Sequence, residues 1–268
     1  MAQSNFLAFQ KLIWSYYKKH GRHDLPWRLT RDPYKILVSE IMLQQTQVAR
    51  VSIKYKSFLE RFPTVQKLAE ANLGDVLKKW QGLGYNRRAV YLKKCAEVIT
   101  KEHKGKFPKN LKELLELPGI GKATAGDLLA FAWDLPAIVI ETNIRTVFIH
   151  HLFGNKEKVS DKEIEALVEK TLPKKNVREW YYALMDYGSF LKETTKHNSR
   201  SSHYVKQSTF KGSNREKRSA ILKLILEKPR TNKELEKITT FDLETILKNL
   251  EAMQKEGLIH KKGSKMYA

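Results

Sequence analysis

The amino-acid sequence predicts an all-α fold followed by a small α+β module. Three observations carry this. Apolar residues recur at helical spacing from Phe6 to about residue 191, and no alternating run there is long enough for a sheet. Glycine and proline divide that stretch at short intervals. The segment 219–268 then spells three short helices and two strands.

In the first segment Phe6, Phe9, Leu12, Ile13 and Tyr16 line one helix face. Ile36, Leu37, Glu40, Ile41 and Leu43 line a second, and Phe58, Leu59 and Phe62 a third. Breaks fall at residues 23–26, Phe62-Pro63, Gly82-Leu83-Gly84, Phe107-Pro108, Pro118 to Gly121 and Pro136. Residues 192–218 differ, with eight Lys/Arg against two Glu and few aliphatic side chains. Such a stretch is either a flexible linker or a strand of chain lying on phosphates. From Ser219 the helical period returns through Ile221, Leu224 and Ile225. Thr231-Asn232-Lys233-Glu234 is a capping box opening a short helix. A third helix is expected from about Phe241 to Glu256, stopped by Gly257, and the tail folds back around Gly263. This is the pattern of a winged helix, a module that grips DNA through its third helix or docks on another protein. The expected organisation is a helical domain over 1–191, a basic linker over 192–218 and a winged-helix domain over 219–268.

Composition narrows the partners. The chain has 268 residues, with 50 Lys+Arg against 29 Asp+Glu and a net charge of +21. Duplex DNA carries a phosphate charge every ~1.7 Å and rewards clustered cations by counterion release, so a nucleic-acid partner is the first reading. With 41% hydrophobic and 29% charged residues, wholesale disorder and a membrane protein are both excluded. The longest apolar runs, Leu128–Trp133 and Leu135–Ile140, are broken by Asp134 and fall well short of the ~20 residues that cross a bilayer. The start MAQSNFLAFQKLIW has no signal-peptide pattern, so a cytoplasmic, nucleoid-associated monomer is expected. Cys95 is the single cysteine and allows neither an internal disulfide nor a multi-cysteine metal site.

Two segments carry chemistry. Leu114 to Ala125, LLELPGIGKATA, is a helix, a tight turn containing Gly119 and Gly121, and a second helix. The glycines let the backbone approach an anion, the amides opening the second helix point at it, and Lys122 adds charge. The segment resembles a helix-hairpin-helix, which holds a DNA phosphate without reading sequence. Further on, Glu141 follows the apolar run Ile138-Val139-Ile140 at the mouth of a new helix. A burial-prone acid there needs a partner, a role in a site, or an amide to cap.

With these segments the chain resembles the helix-hairpin-helix (HhH-GPD) DNA glycosylases, and among them the MutY-type adenine glycosylases. The resemblance runs from Leu25 to Gly188 through LPWR (25–28), DPYKILVSEIMLQQTQV (32–48), RFPTV (61–65), GLGYNRRA (82–89), the hairpin and ALMDYG (183–188). It implies a two-lobed helical fold and removal of a base from double-stranded DNA holding a mismatch or a damaged base. Residue by residue, it implies that Glu40 is the general acid, that Gln45 fills the gap left by the extruded base, and that Tyr85 is a wedge beside the opposite base. Asn143 belongs to the motif of the family's essential Asp, and Trp27, Arg28, Leu43 and Tyr182 fall at the base pocket. Independently of the family, breaking an N-glycosidic bond needs a proton on the leaving base and a negative charge near an oxocarbenium-like sugar. Glu40 and Glu141 are the candidates for these two tasks.

The chain departs from the family pattern in several places. Glu141-Thr142-Asn143 replaces the usual Asp-Gly-Asn, which moves the carboxylate by about 1.5 Å, and displacements of that size can cost roughly 100-fold. Residues 189–211 hold no cysteine, so no iron–sulfur cluster and no other cofactor or metal is expected. His197 and His203 read as exposed phosphate contacts. Tyr182 stands where Gln or Glu contacts adenine in MutY-type enzymes, and the winged helix stands where those enzymes carry a NUDIX-like domain. Ala123 occupies the position of the catalytic lysine of strand-nicking relatives. The expected activity is therefore a monofunctional glycosylase acting on adenine opposite G or 8-oxoguanine. The alternatives are uracil or thymine opposite G as the target, or a non-catalytic DNA-binding protein.

Overall fold

The computed structural model describes residues 3–195 and 197–268. In chain order its helices are α1 (Gln3–His20), α2 (Pro33–Leu43), α3 (Val48–Arg61), α4 (Val65–Glu70), α5 (Leu73–Trp80), α6 (Arg87–Lys101), α7 (Leu111–Glu116), α8 (Lys122–Trp133), α9 (Thr142–Leu152), α10 (Asp161–Thr171), α11 (Val177–Thr194), α12 (Asn214–Glu227), α13 (Asn232–Thr239) and α14 (Leu243–Lys255). The strands are β1 (Arg230–Thr231), β2 (His260–Lys262) and β3 (Lys265–Tyr267). Two compact units form. One comprises Met1–Glu40, Pro108–Glu116 and Ile120–Lys206, the other Ile41–Phe107, Leu117–Gly119 and Gln207–Ala268. The division cuts across the chain order, so that α2 belongs to both and the winged helix groups with α3–α6.

The first unit is built around α11, which packs on α1, α8 and α9. Its sequence explains its position: Trp180, Tyr181, Tyr182, Leu184 and Leu191 are all buried, too wide a stripe for a surface helix. Phe9 fills the seam, 5.4 Å from Phe148 and 6.2 Å from Trp180 between ring centroids. The glycine of ALMDYG has a steric reason, because a Cβ on Gly188 would lie 2.2 Å from the Asn143 carbonyl oxygen. That close approach holds the start of α9 against α11.

Two buried charges in this unit are held by several partners each. Asp186, on α11, accepts from the Arg22 backbone amide at 2.8 Å and side chain at 2.7 Å, and from both terminal nitrogens of Arg28 at 2.7 and 2.8 Å. Arg178, also buried, donates to the carbonyls of Phe131, Arg28 and Thr30 at 2.6–2.7 Å. These two clusters fix the LPWR segment, whose Pro26–Arg28 turn is a short 3-10 helix.

The basic stretch after α11 is ordered over its first part. Residues His197–Arg200 form a 3-10 turn packed on α9. The Arg200 guanidinium donates to the carbonyls of Gly154 and Lys156 at 2.6 Å. Val159 and Ser201 form a parallel bridge, with Val159 N–H to the Arg200 carbonyl and Ser202 N–H to the Val159 carbonyl at 2.9 Å each. His197 meets the His150 ring edge-on at 4.8 Å between centroids and contacts Arg200, while His203 is exposed and lies 3.6 Å from Asp161.

In the second unit α6 packs on α4 and α5, around the buried Trp80. The winged helix has three helices, and its sheet has three strands in the order β1-β3-β2, all antiparallel. The sequence pattern indicated only the two strands of the hairpin. β1 is a two-residue strand beside the capping box, with Arg230 opposite Met266, too short to leave a period. α12 begins at Asn214, upstream of Ser219, where its first turn carries charge in place of apolar residues. No described helix is long and apolar enough to cross a membrane.

The Asp186 cluster sets an expectation for stability. Removing one partner of a buried ion pair typically costs about 3–5 kcal/mol, so Asp186→Asn should lower the unfolding free energy by an amount in that range, and the urea midpoint with it. Burial acts to raise the Asp186 pKa, but Arg28 and Arg22 outweigh it and hold the carboxyl below its ordinary value. A depressed carboxylate stabilises the fold above an unfolded value of about 3.9 and loses that contribution as the pH falls through the folded value. Urea titrations from pH 7 to pH 3 should show this acid loss in the wild type and much less of it in Asp186→Asn. Equal midpoints for the two proteins at pH 7 would show that the cluster is not stabilising.

Candidate active site

Glu40 stands in the last turns of α2, flanked by Leu37, Val38, Ile41 and Met42, all buried. Ser39 donates to the Ile36 carbonyl at 2.7 Å and reaches Glu40 Oε1 at 3.3 Å. Burial raises the Glu40 pKa to about 7. The Ser39 bond opposes the rise, the charge of Glu141 adds to it and Arg28 moderates it. A carboxyl in this state carries a proton near neutrality and can donate it.

Glu141 is the N-cap of α9. Its Oε1 accepts the amides of Asn143 and Ile144 at 2.9 and 3.1 Å, and its Oε2 accepts Asn143 Nδ2 at 3.2 Å. Of the roles weighed from sequence, these contacts show the cap. Burial raises this pKa too, while the two amides, Lys192 and Arg145 pull it down. Two amides and the positive end of α9 favour the charged form, but burial outweighs them and the net shift is upward. Glu40 and Glu141 thus share one electrostatic neighbourhood within the first unit.

Around them, Trp27 and Tyr182 are buried. Tyr182 stacks on Phe131 at 4.8 Å, and the Arg28 guanidinium lies 4.3 Å over its other side. Arg28 is committed to Asp186, so its contribution to the pocket is a fixed positive face over Tyr182. Leu43 closes α2 and is half-buried, in the second unit. A group missed from sequence completes the neighbourhood: Asp127 of α8, which interacts with both Glu40 and Glu141. Alone in an apolar helix it reads as a solvated position. Its burial depends on long-range packing that no local pattern records.

The two side chains expected to enter the duplex belong to the second unit. Gln45 and Tyr85 have φ of 52° and 47°, left-handed backbone that is strained for both residue types. Arg88 holds these two turns. Its guanidinium donates to the carbonyls of Ile41 and Met42 at 2.8 and 3.1 Å, to those of Leu83 and Gly84 at 3.1 and 3.0 Å, and to the Gln44 carbonyl. Burial lowers its pKa to about 10. Arginine is usually solvated, so nothing in the motif GLGYNRRA marked it as a clamp. Gln207, in the basic stretch, donates to the Tyr85 hydroxyl and lies 3.5 Å from Gln45 Oε1.

At the hairpin Gly119 has φ 78°, and Gly121, the N-cap of α8, has no side chain with which to cap it. Lys122 follows, exposed. The residues do not fit the iron–sulfur cluster of the family: the one cysteine, Cys95, is buried in α6. Among the described residues no group of three or more His, Cys, Asp or Glu could hold a metal ion. Burial pushes His151 down to about 4, and its ring meets His150 edge-on, as His150 meets His197.

The adenine DNA glycosylase of Buchnera aphidicola subsp. Baizongia pistaciae is 38% identical over 189 residues, covering 69% of this chain and 53% of that protein. This chain therefore spans about half the length of that relative. The thymine/uracil-DNA glycosylase of Methanothermobacter thermautotrophicus is 31% identical over 173 residues, covering 63% of this chain and 78% of that protein. A solved structure of a thermostable thymine-DNA glycosylase superposes with a TM-score of 0.62 at 28% identity, over 69% of this chain and 87% of that one. Residues 38–174, about half of the chain, match the model of the HhH-GPD superfamily base excision DNA repair proteins, and the chain belongs to that family.

Proposed function

We propose that this protein is a monofunctional DNA N-glycosylase of base-excision repair, which removes adenine mispaired with G or 8-oxoguanine and leaves an abasic site. One observation carries the reading: a protonatable Glu40 and a helix-capped Glu141 share a single buried neighbourhood. The relatives named adenine DNA glycosylases support adenine as the target.

In the proposed reaction the base is extruded from the duplex to lie beside Glu40. The N-glycosidic bond breaks with its electron pair moving to the base, and the Glu40 proton neutralises the leaving nitrogen. Positive charge develops on the sugar, where the Glu141 carboxylate stabilises it, and water adds at that carbon and gives its proton to a carboxylate, so that Glu40, which lost one to the base, is reprotonated for the next turnover. Asn143 holds Glu141 in place through its side chain. The amides opening α8, with Lys122, take a backbone phosphate, and Gln45 and Tyr85 enter the duplex. Ala123 has no amine to form a Schiff base, which supports hydrolysis without strand nicking. No iron–sulfur cluster takes part in this scheme, since the chain cannot ligate one. A second reading, uracil or thymine opposite G, has its support in the thymine/uracil-DNA glycosylase relative and in Tyr182 at the base pocket.

The test is a panel of mismatched duplexes incubated with the full chain and then treated with alkali. Cleavage of A opposite G or 8-oxoguanine, only after alkali, is expected. Cleavage restricted to U or T opposite G would move the target to the second reading. Cleavage before alkali would overturn the monofunctional assignment. Glu40→Gln should lower the single-turnover rate by roughly 10²–10⁴-fold while duplex binding persists.

The pH dependence follows from the same carboxyl. Glu40 acts protonated, so the rate should hold below about pH 7 and fall above it. A carboxyl whose pKa is higher in the folded state favours folding less as it ionises. Stability should therefore decline as the pH rises from about 4.5 through about 7. Denaturant titrations across that window should find a shallower decline in Glu40→Gln, and identical slopes would overturn the assignment of a raised Glu40 pKa.

A further inference from the structure

The winged helix is seated in the second unit by α12, which packs on α5. The end of its α14 then faces the first turns of α6 across a cleft of about 410 Å3, walled by Arg87, Val90, Tyr91 and Lys94 on one side and residues 254–257 on the other. Positions 87, 90, 91 and 94 recur three and four apart and so lie on one face of α6. Val90 is buried and forms the floor, whereas Arg87, Tyr91, Lys94 and Lys255 are exposed. The mouth is open, since a Cβ on Gly257 would meet nothing within 4 Å.

Three cations line this cleft against one acid. That acid, Glu256, is near enough to act on Arg87, but it already takes both terminal nitrogens of Arg218, one of them at 2.9 Å. Lys255 lies 2.6 Å from Glu251, an exposed pair that water and salt screen. The Arg87 guanidinium is held in place without being neutralised: it donates to the Tyr91 hydroxyl at 3.1 Å and lies 5.6 Å over that ring. Lys94, unlike the adjacent Lys93, has no ion pair among the described residues. Cations gathered in a concave, open site focus their field on an anion.

The position of the cleft says which anion. Tyr91 is also the floor under the hairpin turn, where a Cβ on Gly119 would lie 2.5 Å from the Tyr91 Cβ. The cleft is therefore continuous with the turn past which a DNA backbone is expected to run. The rest of the exposed face of α14 suits phosphates poorly, because Leu243, Glu244, Leu247 and Glu251 share it with the single cation Lys248. We propose that the cleft is a second backbone site for duplex DNA, in which Arg87 and Lys94 of α6 and Lys255 of the winged helix together hold one phosphodiester. The winged helix thus meets DNA at the end of its third helix and does not lay that helix in the major groove. The inference rests on the reading of this protein as one that acts on duplex DNA, and the experiment separates the two.

Dissociation constants of the full chain for a fully paired duplex, which holds no target base, are measured from about 50 to about 200 mM salt. The proteins are the wild type, Lys94→Gln, Lys255→Gln, the double variant and Lys223→Gln, whose lysine is exposed on α12 outside the cleft. Each single cleft variant should bind roughly 2–5-fold more weakly, the size of one exposed ion pair. The double variant should lose clearly less than the product of the two, because both lysines hold the same group. The slope of log Kd against log salt should fall by about 1 in all three. Lys223→Gln should match the wild type. A full product in the double variant, or an equal loss in Lys223→Gln, would show that only net charge counts and would overturn the proposal, as would wild-type affinity in every variant. A rise in melting temperature with inorganic phosphate, lost in the double variant while duplex affinity stays unchanged, would assign the cleft to a small free anion instead. If the wild type binds no duplex, the DNA reading fails as a whole; if it binds and only the variants disagree, the role of the cleft alone is wrong.

Discussion

Burying negative charge among apolar helices is the constraint from which the chemistry of the first unit follows. Water is excluded there, so a carboxyl keeps its charge only where the protein supplies donors or cations. Asp186 has two arginines and Glu141 has the amides at the start of α9. Glu40 has a single weak contact from Ser39, and Asp127 has no partner for Oδ1. That gradation of support orders the shifts: Asp186 falls below its ordinary value, while Glu40, with one weak contact, rises to about 7. A proton donor and an anion can then stand side by side at one pH, which a solvated pair of glutamates could not do.

The same economy governs the extra methylene of Glu141. An acid longer than the family's aspartate would overreach if its chain ran straight. Here it folds back so that one oxygen takes two amides and the other takes Asn143. Gly188 makes that arrangement possible from the other side, since any side chain there would push the Asn143 backbone off α11. Part of the motif ALMDYG thus acts at a distance, holding the cap of a helix that lies earlier in the sequence.

Legibility from sequence followed the range of the interactions involved. The helices, the Gly119–Gly121 turn and the Thr231 capping box were readable because each is fixed by residues within a few positions of one another. Glu141 drew notice because an acid follows an apolar run, and Glu40 because its segment SEIMLQQTQV resembles a family motif. Asp127 interrupts an apolar run as well, but an acid with no recognisable partner reads as solvent-facing until α8 is packed. Arg88 was hidden for the opposite reason: its acceptors are main-chain carbonyls, which have no sequence signature. Residues 197–202 were misjudged on composition, since a hydroxyl-rich basic run takes order only from the Gly154 and Lys156 carbonyls it meets.

The Arg200 turn has a chemical consequence. In cluster-bearing relatives the chain beyond the glycosylase core is tied down by thiolates on iron, bonds exposed to peroxide and dependent on iron supply. Here the tie is a guanidinium on peptide oxygens, with one buried thiol in the whole chain. A guanidinium bound to peptide oxygens has no thiolate to oxidise and no metal to lose.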